Sequence, residues 1–161
     1  MSLKNILKLG DPRLHEVSVE VKQEEIPSLQ GDIKIMHNAL MEFRELYGAG
    51  RAVAAPQIGV FKRFIYFNVD EPIVLYNPVL KNLSKEKIIV WDDCLSFPGL
   101  LIKVERHKSL DIHFKDKDWN DQVWKLEGDL AELIQHEYDH LNGIVATQKA
   151  MDEKSFRLIN P

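Results

Sequence analysis

The chain has one cysteine, Cys94, in 161 residues. No intramolecular disulfide can form, so the fold must rest on its core. No apolar run approaches the length of a membrane span. A net charge of -4 gives no electrostatic case for nucleic acid or an anionic membrane as a partner. The first ten residues carry scattered apolar side chains interrupted by Lys4, Asn5 and Lys8, not the continuous apolar core of an export signal. With the lone thiol, this makes a reducing cytoplasm the expected location. Internal repeats, low-complexity tracts and linker-like stretches are also missing. At 45% hydrophobic and 29% charged, the sequence is expected to fold as one domain over residues 1–161.

What is present falls into helix, strands and helix. Asp11 followed by Pro12 reads as an N-cap and first helical position of a short helix. From about Gly31, Ile33, Met36, Leu40, Phe43 and Tyr47 recur at three- and four-residue intervals until Gly48 stops the pattern, which predicts an amphipathic helix. The period then changes. Arg63 to Val69, Ile73 to Leu80, Lys87 to Trp91, Leu100 to Glu105, Leu110 to Phe114 and Val123 to Leu126 are rich in β-branched and aromatic residues and predict strands, with a hairpin turn at Asp116 to Asp121. A second helix is read from Gly128 to Gly143. The expected fold class is α+β, with mostly antiparallel sheets packed around this C-terminal helix. Ala150 to Leu158 has room for about two further helical turns.

The second helix carries His136, Glu137 and His140 in an HExxH pattern. Residues four apart lie on one helix face with β-carbons about 5 to 6 Å apart, so both imidazoles can reach one metal ion. Glu137 can then reach a water on that metal rather than the metal itself. With six histidines in 161 residues, HExxH arises by chance about 0.02 times in a chain of this composition, so the motif favours a metal site. Glu137 also falls within the apolar stripe of Leu130, Leu133, Ile134 and Leu141, where a carboxylate is costly unless something uses it. Two loops stand out: Gly48 to Gly59, rich in glycine and alanine, and Asp92 to Gly99, which holds Cys94. A Cys94–His136–His140 set leaves one tetrahedral position for water, as in a catalytic site. A structural site with a fourth ligand from the other acidic residues or histidines is also open at this level.

Three segments taken together resemble the peptide deformylase family, whose motifs run GxGxAAxQ, EGCLS and HExDH. Here Gly50 to Gln57 reads GRAVAAPQ, Asp92 to Ser96 reads DDCLS and His136 to His140 reads HEYDH, and Gly10, Asp11, Pro12 and Leu14 match the family's usual start. The resemblance implies one divalent metal, Fe2+ in the active form with Zn2+, Ni2+ or Co2+ as substitutes, held by Cys94, His136 and His140. It also implies Glu137 as general base and acid, and Gln57 with the Leu95 amide as stabilisers of the oxyanion. The expected activity is removal of the formyl group from N-formylmethionyl peptides with release of formate, and the expected partners are N-formylated nascent peptides.

The match has departures. Arg51 and Ala52 replace an aliphatic residue and a glycine after Gly50, and Asp92 and Asp93 replace the glutamate and glycine before Cys94. An acidic Asp92 can still pair with Arg106. Asp129 and Glu132 lie seven and four residues before His136, on its side of the helix, where many deformylases build an apolar pocket for methionine. Gly50, Arg51, Ala52, Asp93, Asp129 and Glu132 are therefore the expected substrate-binding residues, and a deformylase-like hydrolase with a different acyl-amine substrate or an altered first-residue pocket is the alternative reading. A metallopeptidase of the HExxHxxGxxH type is disfavoured, since Ala146 stands where its third histidine belongs. A non-catalytic binding module is disfavoured by the retention of Gln57, Cys94, Glu137 and both histidines. The short stretch after His140 argues against ribosome docking through a long C-terminal helix.

Overall fold

The spacing of Met36, Leu40 and Phe43 folds as helix α1, Gln30–Tyr47, which buries those residues and Ala39. Each large side chain so buried contributes about 1.5–3 kcal/mol. Gly48 ends the helix with φ 65°, donating its N–H to the Arg44 carbonyl. That is a left-handed cap, which glycine adopts without Cβ strain. The structure is a computed structural model and describes residues 2–159; Met1, Asn160 and Pro161, counted in the expected domain, lie outside the described residues. Asp11 caps the short helix Pro12–His15 by accepting from the Arg13 N–H, as expected.

Among the described residues there are eight strands: β1 Ala52–Ala54, β2 Phe64–Asn68, β3 Pro72–Lys81, β4 Lys87–Asp92, β5 Leu100–His107, β6 Ser109–Lys115, β7 Asp121–Glu127 and β8 Phe156–Leu158. They form a five-stranded sheet in the order β1-β2-β3-β6-β7 and a three-stranded sheet in the order β4-β5-β8. Every strand pair is antiparallel. The predicted hairpin turn joins β6 to β7, with the Asp116 N–H donating to the Asn120 carbonyl at 2.9 Å.

Alternation along β2 explains how the larger sheet is used. Phe64 and Tyr66 pack with Met36, Leu40 and Phe43 of α1. Ile65 and Phe67 pack on the other face with Ile134 and Leu141 of the second helix, α2, Asp129–Leu141. The sheet is thus covered by one helix on each side, and α2 lies between it and the smaller sheet. Cys94 joins Leu14, Ile102, Val104 and Val145 in a third apolar cluster under that smaller sheet.

Two strands depart from expectation. β1 is short and buried throughout, so it has no alternation to read, and it is defined by its pairing with β2, Ala52 to Phe67. Within Ala150 to Leu158, Phe156–Leu158 forms β8 instead of a helical turn. So short a segment gains little from isolated helix formation, whereas pairing with β5, Leu100 opposite Leu158, satisfies its backbone groups. No helix of the described residues is long and apolar enough to cross a membrane.

Candidate active site

Helix α2 starts at Gly128, whose φ of 63° turns the chain from β7 into the helix. The helix is buried on more than its apolar stripe: Gln135, His136, Glu137, Asp139 and His140 are buried beside Ile134 and Leu141. Buried polar groups require partners. Gln135 accepts from the His107 N–H at 2.9 Å and donates to the His107 carbonyl at 2.8 Å, tying α2 to the end of β5. Asp139 is bound by Arg106 Nη1 at 2.5 Å and by Lys149 Nζ at 3.1 Å. Gly143, just past the helix, has φ 71°, and a Cβ there would lie 2.4 Å from the His15 carbonyl oxygen. The chain therefore needs glycine there for both its turn and its closeness to the N-terminal segment.

Cys94, His136 and His140 are all buried, and their ligand atoms lie within 4.8 Å of one another. Cys94 Sγ is 3.4 Å from His140 Nε2. His136 Nδ1 is 3.1 Å from Asp92 Oδ2, and the same carboxylate oxygen accepts from Arg106 Nη2 at 2.7 Å. Burial alone would raise Asp92, but His136 and Arg106 hold its carboxyl well below the usual carboxylate range. The ionised carboxylate can only accept, so His136 carries its proton on Nδ1 and presents Nε2 to the other donors. Burial opposes charge on His136, yet the Cys94 sulfur and Asp92 together raise its pKa well above the ordinary histidine value. Burial and the neighbouring His136 lower His140 well below it. A thiol and two imidazoles converging in a buried place, with His140 turning Nε2 towards the Cys94 sulfur, fit a divalent metal with an N/S preference.

Glu137 is fully sheltered, and its Oε2 has no hydrogen-bond partner. Burial pushes its carboxyl up to about 7. Gln57 is held by its Oε1, which accepts from the Ala54 N–H at 2.9 Å. Its Nε2 therefore faces Cys94 Sγ at 3.4 Å and Ser96 Oγ at 3.2 Å. Leu95 is buried between them, and its carbonyl accepts from Lys8 Nζ at 3.1 Å.

A cavity of about 520 Å³ opens beside these groups, with Cys94, Leu95, His136 and Glu137 in its wall; Gln57 and His140 are not part of its lining. Of the expected substrate-binding residues, Gly50, Arg51, Ala52, Asp93 and Glu132 also line it. Asp129 does not: as the first residue of α2 it is exposed to solvent, and a seven-residue separation carries it about 10 Å along the helix axis from His136. Arg51 and Glu132 form an ion pair at 2.9 Å across the cavity wall. Burial and the facing Asp92 push the Glu132 carboxyl up to about 8 against the pull of Arg51. Gly50 has φ 115° and packs so closely on Phe43 that a Cβ would stand 2.9 Å from its ring.

Sequence reasoning paired Asp92 with Arg106, and the structure agrees; it missed the bond from Asp92 to His136. It also missed Arg44, in the last turn of α1, which lines the cavity, and Ser96 beside Gln57. A lone arginine in an amphipathic helix carries no signal of its own, whereas Ser96 lies within the DDCLS segment.

A buried Cys-His-His donor set with a neighbouring glutamate, beside a cavity that Cys94, His136 and Glu137 line, defines a metal-dependent hydrolase site of the HExxH class. The sequence profile described as polypeptide deformylase matches residues 3–156. Peptide deformylase from Rhizobium meliloti (strain 1021) is 34% identical over 152 residues, covering 90% of this chain and 83% of the relative. Peptide deformylase from Carboxydothermus hydrogenoformans is 36% identical over 151 residues, covering 93% and 95%. The crystal structure of a peptide deformylase from Synechococcus elongatus in complex with actinonin superposes with a TM-score of 0.83 at 30% identity, covering 92% of this chain and 79% of that one. The chain belongs to the peptide deformylase family.

Proposed function

We propose that this protein hydrolyses the formamide bond at the N-terminus of N-formylmethionyl peptides, releasing formate and a free amine. The observation that carries the reading is the convergence of Cys94, His136 and His140 within 4.8 Å, with Cys94 and His136 in the wall of a cavity that Glu137 shares, in a member of this family. Cys94, His136 and His140 are the residues we assign to hold the metal. Thiol and imidazole donors suit zinc as well as iron, so Fe2+ is proposed on the family resemblance, with Zn2+, Ni2+ or Co2+ as substitutes. When bound, the metal supplies Lewis acidity that lowers the pKa of water and polarises the formyl carbonyl.

The protein's own groups divide the remaining work. Glu137, with a carboxyl raised to about 7, takes a proton from the attacking water and returns it to the leaving amine nitrogen. Gln57 Nε2, aimed at Cys94 by the Ala54 N–H, and the Leu95 amide stabilise the negative charge that develops on the formyl oxygen. Asp92 holds the His136 ring in one tautomer and orientation. Gly50, Arg51, Ala52, Asp93 and Glu132 form the proposed substrate wall, and N-formylated nascent peptides are the proposed partners. A ferrous ion and a free Cys94 thiol both suit a reducing cytoplasm, which is the proposed location.

Anaerobically iron-loaded protein is expected to release formate from formyl-Met-Ala-Ser, and Cys94→Ser to lose its metal. Protein that carries its full complement of iron and releases no formate overturns the reading.

A further inference from the structure

Three segments bring charge to one wall of the catalytic cavity. Arg51 precedes β1 and Glu132 stands in the first turn of α2, with Arg51 Nη2 at 2.9 Å from Glu132 Oε1. Arg44, from the last turn of α1, anchors the loop that leads to Arg51: its Nε donates to the Gly50 carbonyl at 2.7 Å and its Nη2 to the Asn68 carbonyl. The Glu132 side chain is 13% exposed and that of Arg51 36%, so the pair is sheltered yet open to whatever enters.

The position of the pair relative to the chemistry decides what it touches. Glu132 lies one turn before His136, about 6 Å along the helix axis. In a formyl peptide the first side chain branches off two bonds beyond the formyl carbon, at the adjoining Cα. Arg51 and Glu132 line the same cavity as Cys94, His136 and Glu137, so with the formyl group at the metal donors a side chain branching there is within reach of the pair.

A thioether placed against Arg51 and Glu132 strips water from both and returns no strong hydrogen bond. A cationic side chain faces Arg44 as well as Arg51, and an anionic one faces Asp92 and Asp93 in the same lining, so neither sign of charge is matched throughout. A carboxamide offers an acceptor and two donors in one plane. It can bond Arg51 and Glu132 together, and glutamine has nearly the length of methionine. We propose that the Arg51–Glu132 pair determines specificity in the first-residue pocket and sets it to accept glutamine at least as readily as methionine. This rests on the deformylase reading above.

The test is kcat/KM of the iron-loaded protein for formyl-Gln-Ala-Ser, formyl-Met-Ala-Ser and formyl-norleucine-Ala-Ser, repeated with the double variant Arg51→Ile, Glu132→Ile. The methionine-to-glutamine ratio is expected to stay below about threefold in the wild type and to rise at least about tenfold in the variant, the scale on which pocket contacts discriminate. Norleucine, which has no hydrogen-bonding group, is expected to follow methionine. A wild-type preference for methionine above that threefold limit overturns the proposal, as does an unchanged ratio in a variant that retains its metal. Should the variant fail to fold, the wild-type ratio decides alone. Absence of formate from all three peptides overturns the deformylase reading instead.

Discussion

The carboxylate of Asp92 binds His136 Nδ1 at 3.1 Å and, through the same oxygen, Arg106 Nη2 at 2.7 Å. One oxygen thus orients a metal donor while a buried guanidinium keeps it ionised. Asp92→Asn keeps the shape and removes the charge. Loss of such an outer partner is expected to weaken metal affinity by about 10- to 100-fold, measured by competition against a chromophoric chelator. Unchanged affinity would remove Asp92 from this role.

Arg106 also binds Asp139, with side-chain exposures of 2% for the arginine and 10% for Asp139. Replacing it by methionine fills the volume but leaves two buried carboxylates short of their cation. The expected cost is about 3–5 kcal/mol, because an uncompensated buried charge costs more than the pair contributes. Urea denaturation of Arg106→Met against the wild type checks this. A change below 1 kcal/mol, roughly what a surface pair is worth, would contradict it.

The Glu137 carboxyl is raised to about 7 by burial in the metal-free protein, and a bound cation lowers it. A general base must be ionised. Turnover should therefore rise with pH along an acidic limb whose midpoint lies below 7 in the loaded enzyme. Glu137→Gln should lose this limb together with about 10²- to 10⁴-fold of activity.

The same raised pKa has a stability consequence in the metal-free protein. Its contribution is present below the unfolded value of 4.5 and is lost as pH rises through about 7. Relative to wild type, metal-free Glu137→Gln should gain melting temperature between pH 4.5 and 8, and a constant difference would contradict the burial of an ionisable group there.

Gly143 and Gly48 both have positive φ, but a Cβ at Gly48 meets nothing within 4 Å while one at Gly143 meets the His15 carbonyl. Gly48→Ala is expected to cost about 1–2 kcal/mol from backbone conformation alone. Gly143→Ala should cost more, since the His15 backbone must also move. Thermal melts of the two variants rank them, and equal losses would show that the N-terminal segment is not held against the end of α2.

The helices and central strands were legible because their cores repeat: Met36, Leu40 and Phe43 at helical spacing, and the alternation of Phe64, Ile65 and Tyr66 between two helices. β1 and β8 were not, because strands of three residues carry no usable period. Within the site, HEYDH, the lone cysteine and GRAVAAPQ name residues that the fold brings together. Glu132 and Arg51 converge on the cavity, whereas Asp129, seven residues before His136, is on the same side of the helix but too far along it. A helical wheel gives angle and omits rise, which is why these two acids could not be separated without the structure. The Asp92–His136 bond depends on where the end of β4 meets α2, a long-range relation that no local pattern records.

Incubation of iron-loaded protein under anaerobic conditions with equal amounts of formyl-Met-Ala-Ser and acetyl-Met-Ala-Ser tests the central claim most directly, with both products followed by mass spectrometry and Glu137→Gln run in parallel. The expected result is free amine and formate from the formyl peptide alone, and neither in amounts above background from the variant. Cleavage of the Met-Ala bond, or equal formyl peptide turnover by wild type and variant, would contradict it.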